Sequence, residues 1–394
     1  MKRWFRMAAL LLSLVLVLTS CSLFAKIEET DRQENEPFRP SVDTETEQGE
    51  ESAKKHPGPE QLLAALPSYS VSDTTLLLAA SEDCKLFLEN SDSLAVSNTL
   101  LSAVEGRYGI TVALGQYTAN QMLYGVTDMV EKGSGTHYFA DLLILSATEF
   151  VRYRDAGLLD RIEILPFVDV DADCFDAELT ALFLDDGGTY GLVGAGSHAF
   201  KARVTLFFNP ELLAAEGIAF DGYSMMENGS FDLSALAAVL AEYREKTGEA
   251  ALVSGLSREA TEGLLGEDGN DLLVEAFGEN GDLAFMMGKV PFYIGTLGQV
   301  EKMPAARDKY GMLPIPVVEN GQYATLYDPD SLYVFCIPKG NARTDCTGAF
   351  LQAWHTAATY LPYDYFENQL IEKYVWDEGT LKSIFLVAKK EKEA

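Results

Sequence analysis

Basic residues are scarce. The 394-residue chain carries 30 Lys and Arg against 60 Asp and Glu, a formal net charge of −30. No basic face of useful size can be assembled from that balance, which excludes a nucleic-acid partner. Histidine is scarcer still, with 4 in all. One of these, His56, lies in a polar stretch, so a His-dependent hydrolase has few places to sit. The sequence contains no GxSxG, no GxGxxG, no HExxH and no phosphate-binding GxxxxGK followed by Ser or Thr, and each absence removes an enzyme class. Asp169 to Asp173 begins like a calcium loop, but Cys174 stands where the turn glycine belongs and Thr180 where the final Glu belongs. The run Glu267-Asp268-Gly269-Asn270-Asp271 reads as a solvated turn, and nothing brings two carboxylates together for glycoside hydrolysis. The 5 cysteines include no CxxC and no Cys/His cluster at metal spacing. Cys84, Cys174 and Cys336 have apolar neighbours and read as buried thiols; an exported protein could also pair cysteines among Cys84, Cys174, Cys336 and Cys346, in a connectivity the spacing leaves open. No metal, cofactor or redox role is expected. Asn228-Gly229-Ser230 matches a glycosylation sequon and carries no further reading. No repeat of 20–50 residues is visible.

The first residues are of a different kind. Lys2, Arg3 and Arg6 precede an apolar run from Met7 to Leu18, far short of the ~20 residues needed to span a bilayer core. This is the pattern of a secretory signal. It ends in Leu18-Thr19-Ser20-Cys21, which resembles the lipobox of bacterial lipoproteins. The resemblance implies that residues 1–20 are removed and that Cys21 is the lipid-attachment site and mature N-terminus. From Lys26 to Pro67 there is no apolar periodicity. Glu, Asp, Thr, Gln, Ser and Pro dominate, too polar a mixture to offset the entropy of ordering. Residues 21–67 are expected to be the lipidated cysteine and a flexible acidic tether.

The body alternates. Thr74 to Ala80 reads as a short, doubly buried strand, and a helix follows near 92–106 with Leu94, Leu101, Val104 and Tyr108 on one stripe. A strand at 109–114, a helix at 118–131 and a strand at 139–145 come next, then a helix from Ala147 that stops at Gly157. This order argues a doubly wound α/β lobe. A second set begins near Tyr190: a strand at Val204 to Phe208, a helix opened by Asn209-Pro210, and a helix carrying Leu233, Leu236, Ala237, Leu240 and Tyr243, closed by Gly248. Asp282–Met287, Pro291–Ile294, Tyr310–Ile315 and Ser331–Ile337 read as strands. Three helices finish the chain, the first with Phe350, Leu351, Trp354, Ala358 and Leu361 on one face.

Several stretches, in order, resemble one known family. FADLLILSATEFVRYRDAGLL resembles a strand leading into a helix that ends in "aGLL". GGTYGLVGAGSHAFKARVTLFFNPELLAAEGI resembles a Tyr-Gly turn, a strand and an Asn-capped helix. GSFDLSALAAVLAEY stands where a helix opens, and GDLAFMMGKVPFYIGTLGQVEKM, KYGMLPIPVVENGQY and SLYVFCIPKGNARTDCTGAFLQAW follow in sequence. The likeness covers about residues 72 to 388. It is to the extracellular solute-binding proteins, family 1, carbohydrate-type receptors of ABC importers.

That resemblance implies a periplasmic-binding-protein type II fold: two doubly wound α/β lobes joined by a hinge, with the ligand cleft between them. Lobe 1 is expected to hold 68–195 plus 290–330, and lobe 2 to hold 196–289 plus 331–394. Ligands of open α/β sheets bind beyond the carboxyl ends of strands. The expected ligand contacts are therefore Gln116, Tyr117, Ser146, Thr148, Ser197, His198, Tyr293, Thr296, Tyr327 and Tyr333. A sugar needs aromatic faces and hydrogen-bonding groups, and tyrosine supplies both. Each tyrosine has a plainer reading as a core residue, His198 reads equally as a solvated loop residue, and Asp141 reads as structural. The chain departs from the family in a short stretch between Gly248 and Asp282. It also lacks a Trp at the helix near 232 and has only Trp354 and Trp376 after residue 20. The implied role is non-enzymatic: a monomeric protein, lipid-anchored on the extracytoplasmic face of the bacterial membrane, delivering a small solute, above all a saccharide, to ABC permease subunits. An adhesion or sensory lipoprotein with the same clamp, and a carbohydrate-active hydrolase, are the alternatives.

Overall fold

The computed structural model describes residues 57–387, apart from 74, 82–83, 85–90, 134, 136, 196–198, 267–268, 270–271, 273, 303–309, 320–321, 361–369 and 371–376. Cys21, the signal segment and most of the tether lie outside the described residues.

The chain enters through α1 (Pro59–Ala65) and then alternates through β1 (Thr75–Ser81), α2 (Ser91–Tyr108), β2 (Thr111–Tyr117), α3 (Ala119–Lys132), β3 (Leu142–Ser146), α4 (Ala147–Asp155) and β4 (Leu159–Asp160). A one-turn helix α5 (Ala177–Thr180) and a hairpin of β5 (Leu184–Asp185) and β6 (Gly188–Thr189) follow. Next come β7 (Val204–Phe208), α6 (Pro210–Ala215), α7 (Gly222–Glu227), α8 (Leu233–Thr247), β8 (Leu252–Ser254), α9 (Arg258–Leu265) and α10 (Glu279–Met286). The last part holds β9 (Phe292–Thr296), β10 (Gly311–Leu313), a small hairpin of β11 (Val318–Glu319) and β12 (Gln322–Tyr323), β13 (Tyr333–Pro338), α11 (Thr344–Ala358) and α12 (Glu378–Val387).

Local chemistry sets many of these boundaries. Thr118 and Gln121 close a reciprocal capping box at the start of α3, and Ser146 and Glu149 do the same for α4. Asn209, with Pro210 behind it, caps α6, and Asp232 caps α8. Each such cap satisfies a helix N–H that would otherwise be orphaned, at ~1 kcal/mol. Gly248, at φ 72°, supplies the left-handed residue that ends α8.

The strands form two main sheets. The first has the order β2-β1-β3-β13-β4, with β1, β2 and β3 parallel and β13 antiparallel to its neighbours. The second has the order β10-β7-β9-β8, with β8 parallel to β9 and β7 antiparallel to β9 and β10. Both are covered on both faces, and the alternation of side chains shows it. Leu76, Leu78, Leu142 and Ile144 face the helices α1, α2 and α11, beside Leu63, Val104, Phe350 and Trp354. Ala79, Leu143 and Leu145 face α3 and α4, beside Met122, Val126, Phe150 and Tyr153. In the second sheet Leu206, Phe292 and Ile294 pack with Leu213, Leu236 and Leu240, while Phe207 and Tyr293 pack with Phe285 of α10 and Ile384 of α12. Two α/β lobes result, each with its own pair of apolar layers.

Two expectations are corrected. The returning segments go to the opposite lobes from those expected: 292–296 and 311–313 flank β7 in the second sheet, and 333–338 fills the gap between β3 and β4 in the first. α11, expected in the second lobe, follows β13 into the first and packs on α1 and α2, whereas α12 packs against β10 and α7 of the second. The physical reason is that an apolar strand pattern encodes burial on both faces but not which open edge the strand pairs with. The stretch Asp282–Met287, read as a strand, forms the body of the helix α10 and its C-cap Met287. Gly281 and Phe285, four residues apart, are buried, while Leu283, Met286 and Met287 face outward. Gly281 permits this packing, because a Cβ there would come within 2.0 Å of the Ser254 carbonyl oxygen.

Cys84, Cys174, Cys336 and Cys346 are all buried, and burial raises the thiol pKa of Cys174, Cys336 and Cys346. Asp141 is fully buried and structural: it accepts from Leu77 N at 2.7 Å and Arg343 Nη1 at 2.9 Å, and from the Tyr138 hydroxyl. Among the described residues no group of His, Cys, Asp or Glu is placed to hold a metal ion, and no helix is long and apolar enough to cross a membrane.

Candidate functional site

Both sheets turn the same ends of their strands toward the segments that pass between them. The carboxyl end of β3 runs into α4, where Ala147 N donates to Leu332 O at 2.8 Å and Thr148 N to Pro329 O at 3.4 Å. The carboxyl end of β9 meets the other crossing, where Leu297 N donates to Arg203 O and Gly298 N to Lys201 O, both at 2.9 Å. The two crossings also pair with each other: Val204 N donates to Leu326 O at 2.8 Å, Asp328 N to Ala202 O at 2.9 Å, and Arg203 and Tyr327 form a β-bridge. Strand ends and crossings therefore meet in one region, the place where ligands of open α/β sheets bind.

On the first lobe this edge carries Gln116, Tyr117, Ser146, Thr148 and Tyr333. Gln116 is exposed at the end of β2. Tyr117 is half-buried, packed 4.8 Å from the Phe139 ring, with its hydroxyl folded over Gly115, where a Cβ would meet it at 2.5 Å. The Ser146 hydroxyl accepts from Glu149 N, so its lone pairs serve the cap of α4. Thr148 is exposed and donates to Asp330 Oδ1 at 2.7 Å. Tyr333 is half-buried and stands opposite Ser146 across the β13–β3 pair. Tyr327, on the crossing itself, is half-buried, and burial raises its hydroxyl pKa against the opposing pull of Arg203.

The second lobe is different. Tyr293 has no exposed surface and donates to Asp282 Oδ1 at 2.5 Å. Burial first, then the Asp282 charge, holds its hydroxyl well above the usual range. Its ring packs in the layer under α10 while its hydroxyl reaches over Gly255 and beside Gln299 at the carboxyl ends of β8 and β9, so it is a buried residue sealed at the strand ends rather than an open one. Thr296 is 4% exposed, and its backbone N–H is taken by Gln299 Oε1 at 2.7 Å. This residue is likewise packed away. Ser197 and His198 lie outside the described residues.

Three residues at the crossing were not singled out from sequence: Arg203, Asp328 and Asp330. Asp328 is 5% exposed, accepts from Asp330 N at 3.2 Å and from the Ser331 hydroxyl, and is pushed upward in pKa chiefly by burial. The available signal was the turn Asp328-Pro329-Asp330 directly before the apolar run of β13. Trp354 is 1% exposed in the core beneath α11, so in the described residues aromatic faces at the crossing come from tyrosine. Hydroxyls, carboxylates, an amide and tyrosine rings at one edge make a set of donors, acceptors and flat apolar faces that suits a polyhydroxylated solute.

No family model matches the chain, and no curated protein does. Solved structures do. One is the sugar-binding protein MalE from Xanthomonas citri, with 17% identity over 80% of this chain and 84% of that one, at a TM-score of 0.51. Another is the galacto-N-biose/lacto-N-biose I-binding protein of the ABC transporter from Bifidobacterium longum, in complex with lacto-N-biose. It shares 10% identity over 72% of this chain and 74% of that one, at a TM-score of 0.50. Likeness at these identities speaks to architecture, and it agrees with the strand orders of the two sheets: the chain has the type II periplasmic-binding-protein fold.

Proposed function

We propose that this protein is a substrate-binding protein that captures a small saccharide or polyol between its two lobes and hands it to an ABC importer. The observation that carries the reading is the convergence of both sheets' strand ends, and of both crossings, on one edge bearing Gln116, Tyr117, Ser146, Thr148, Tyr327 and Tyr333. The fold and its sugar-binding neighbours support the same reading. Anchoring through a lipid on Cys21, display outside the membrane, a monomeric state and docking onto permease subunits belong to this proposal. Binding, not turnover, is the proposed activity, and closure around solute and affinity are one equilibrium.

The test is a thermal-shift screen with maltose, lacto-N-biose, mannitol, other mono- and oligosaccharides, amino acids and short peptides, with product analysis of each mixture. A ligand at 100-fold its dissociation constant should add ~2.7 kcal/mol of stability, enough to raise the melting midpoint by a few degrees. A shift with one saccharide class and no product supports the reading. Cleavage of the sugar would replace it with the hydrolase, and silence across all classes from a well-folded sample with the adhesion or sensory lipoprotein.

A further inference from the structure

Arg203 is the last residue before β7, where the chain leaves the first lobe. Its guanidinium lies 5.6 Å from the Phe200 ring and 5.7 Å from the Tyr327 ring, and Nη1 donates to the Val387 carbonyl at 3.1 Å. Phe200 and Val387 belong to the core of the second lobe, whereas Tyr327 packs against the core of the first. One side chain therefore touches both lobes and the end of α12. Its Nε is buried and has no hydrogen-bond partner among the described residues. An unpaired buried donor is costly, and more so on a charged group. The guanidinium is thus held in an arrangement that leaves its donor set incomplete.

Acceptors lie on the first lobe. Asp176 and Glu178, at the start of α5, raise the Tyr327 hydroxyl electrostatically, while Arg203 lowers it through its charge and a side-chain hydrogen bond, so all three charged groups act on one hydroxyl. Asp176 caps α5 through Oδ1, which accepts from Leu179 N at 3.0 Å. Arg203 and Tyr327 are bridge partners, so a change of angle at this crossing would be felt at the guanidinium, which has the Val387 carbonyl of the second lobe on one side and the Tyr327 ring of the first on the other. Lysine cannot reproduce this, since it has no Nε–H in a planar fork and no flat face to stack.

We propose that Arg203 is the positioning residue of the hinge: it exchanges partners between two arrangements of the lobes and thereby sets their equilibrium. The proposal rests on the two-lobed binding reading, but its test needs no solute. In the full chain with Cys21→Ser, dyes are placed at Tyr124→Cys on α3, where the tyrosine is 70% exposed, and at Glu245→Cys on α8. The native cysteines, 0–6% exposed, are spared. Single-molecule energy transfer then reads the interlobe distance at low and high salt. Two populations are expected whose ratio depends on salt. Arg203→Met should shift the ratio roughly tenfold and remove most of the salt dependence, the size expected from one charged, partly buried contact. Arg203→Lys should fall between. Asp176→Asn with Glu178→Gln should shift the ratio in the same direction and add little on top of Arg203→Met.

The proposal is overturned by a single distance population in the parent protein, by an unchanged ratio in Arg203→Met, or by full additivity with the acid pair. If Arg203→Met does not fold, Arg203→Lys and the acid pair decide on the same criteria. A saccharide screen that stays silent would remove the binding reading and leave this ratio standing, whereas a bound saccharide with an unmoved ratio would do the reverse.

Discussion

The edge of the first sheet keeps most of its polar side chains close to the surface: Gln116 and Thr148 are exposed and Tyr117 and Tyr333 half-buried, while Ser146 is buried in its cap. At the corresponding edge of the second sheet, Tyr293 is sealed beneath α10 with its hydroxyl on Asp282, and Thr296 is buried. Both edges stand at the carboxyl ends of strands, so position in the topology is the same and the outcome is not. The difference lies in the elements laid against each strand. After β3 the chain turns into α4 and presents its first residues to the crossing, whereas β9 has α10 laid across its neighbour through Gly281. A strand end is therefore not a sufficient mark of a cleft residue, and the two edges differ: exposed and half-buried polar side chains on the first, a packed wall on the second.

The largest effect expected from this contrast is on stability. Tyr293→Ala should cost about 3–5 kcal/mol, as for other buried aromatic truncations, while Tyr117→Ala should cost about 1 kcal/mol and act on saccharide affinity instead. Urea denaturation of the two variants reads this directly, and equal losses would dissolve the distinction between the edges.

Acid sharpens the contrast from inside the first lobe. His355 of α11 is fully buried, edge-on to Phe175 at 5.0 Å and Phe335 at 4.5 Å, and neither ring nitrogen has a hydrogen-bond partner among the described residues. Burial lowers its pKa from 6.5 to about 3. The unfolded chain thus takes up the proton first, so the neutral imidazole's contribution is complete above pH ~6.5 and is lost as pH falls toward ~3. At 1.4 kcal/mol per unit the loss reaches a few kcal/mol. His355→Phe should flatten the stability profile over that window relative to the parent, and a profile that keeps the parent's slope would refute the assignment.

A smaller change probes the wall. Tyr293→Phe removes the donor to Asp282 without emptying the core, and should cost about 1–3 kcal/mol, the value of a hydrogen bond to a charged group. Asp282→Asn should lower stability less and leave saccharide affinity alone. The smallest effect expected is that of Thr148→Ala. Its bond to Asp330 joins two exposed side chains, so the melting midpoint should move by no more than the equivalent of ~0.5 kcal/mol. Calorimetric titration with the saccharide found in the screen should show weaker binding in the same variant.

How much of this was readable from the residues varies with the kind of signal. The strands β1, β3 and β7, the Asn209-Pro210 opening of α6 and the closing Gly248 of α8 were legible because continuous apolar runs and capping residues are local. The crossing topology was not, because the pattern of Ser331–Ile337 states that the strand is buried and leaves its partner open. α10 was misread for a related reason: Leu283-Ala284-Phe285-Met286-Met287 is a short apolar run that suits either period, and the deciding feature was the glycine at 281 pressed on Ser254. For Tyr293 the two-residue period places it opposite Phe292 and Ile294, but with both faces covered that alternation separates two cores rather than core from solvent. Arg203 stood inside a stretch that resembles the family without being singled out, and its partners Tyr327 and Val387 are brought to it only by the fold.

The central claim is that a saccharide is held between two hinged lobes. Small-angle X-ray scattering of the full chain, with and without the saccharide that raises its melting midpoint, tests this most directly. The account predicts a smaller radius of gyration and a narrower interlobe distance with solute bound, both weakened in Tyr327→Ala. Saturating saccharide that leaves the scattering curve unchanged would contradict it.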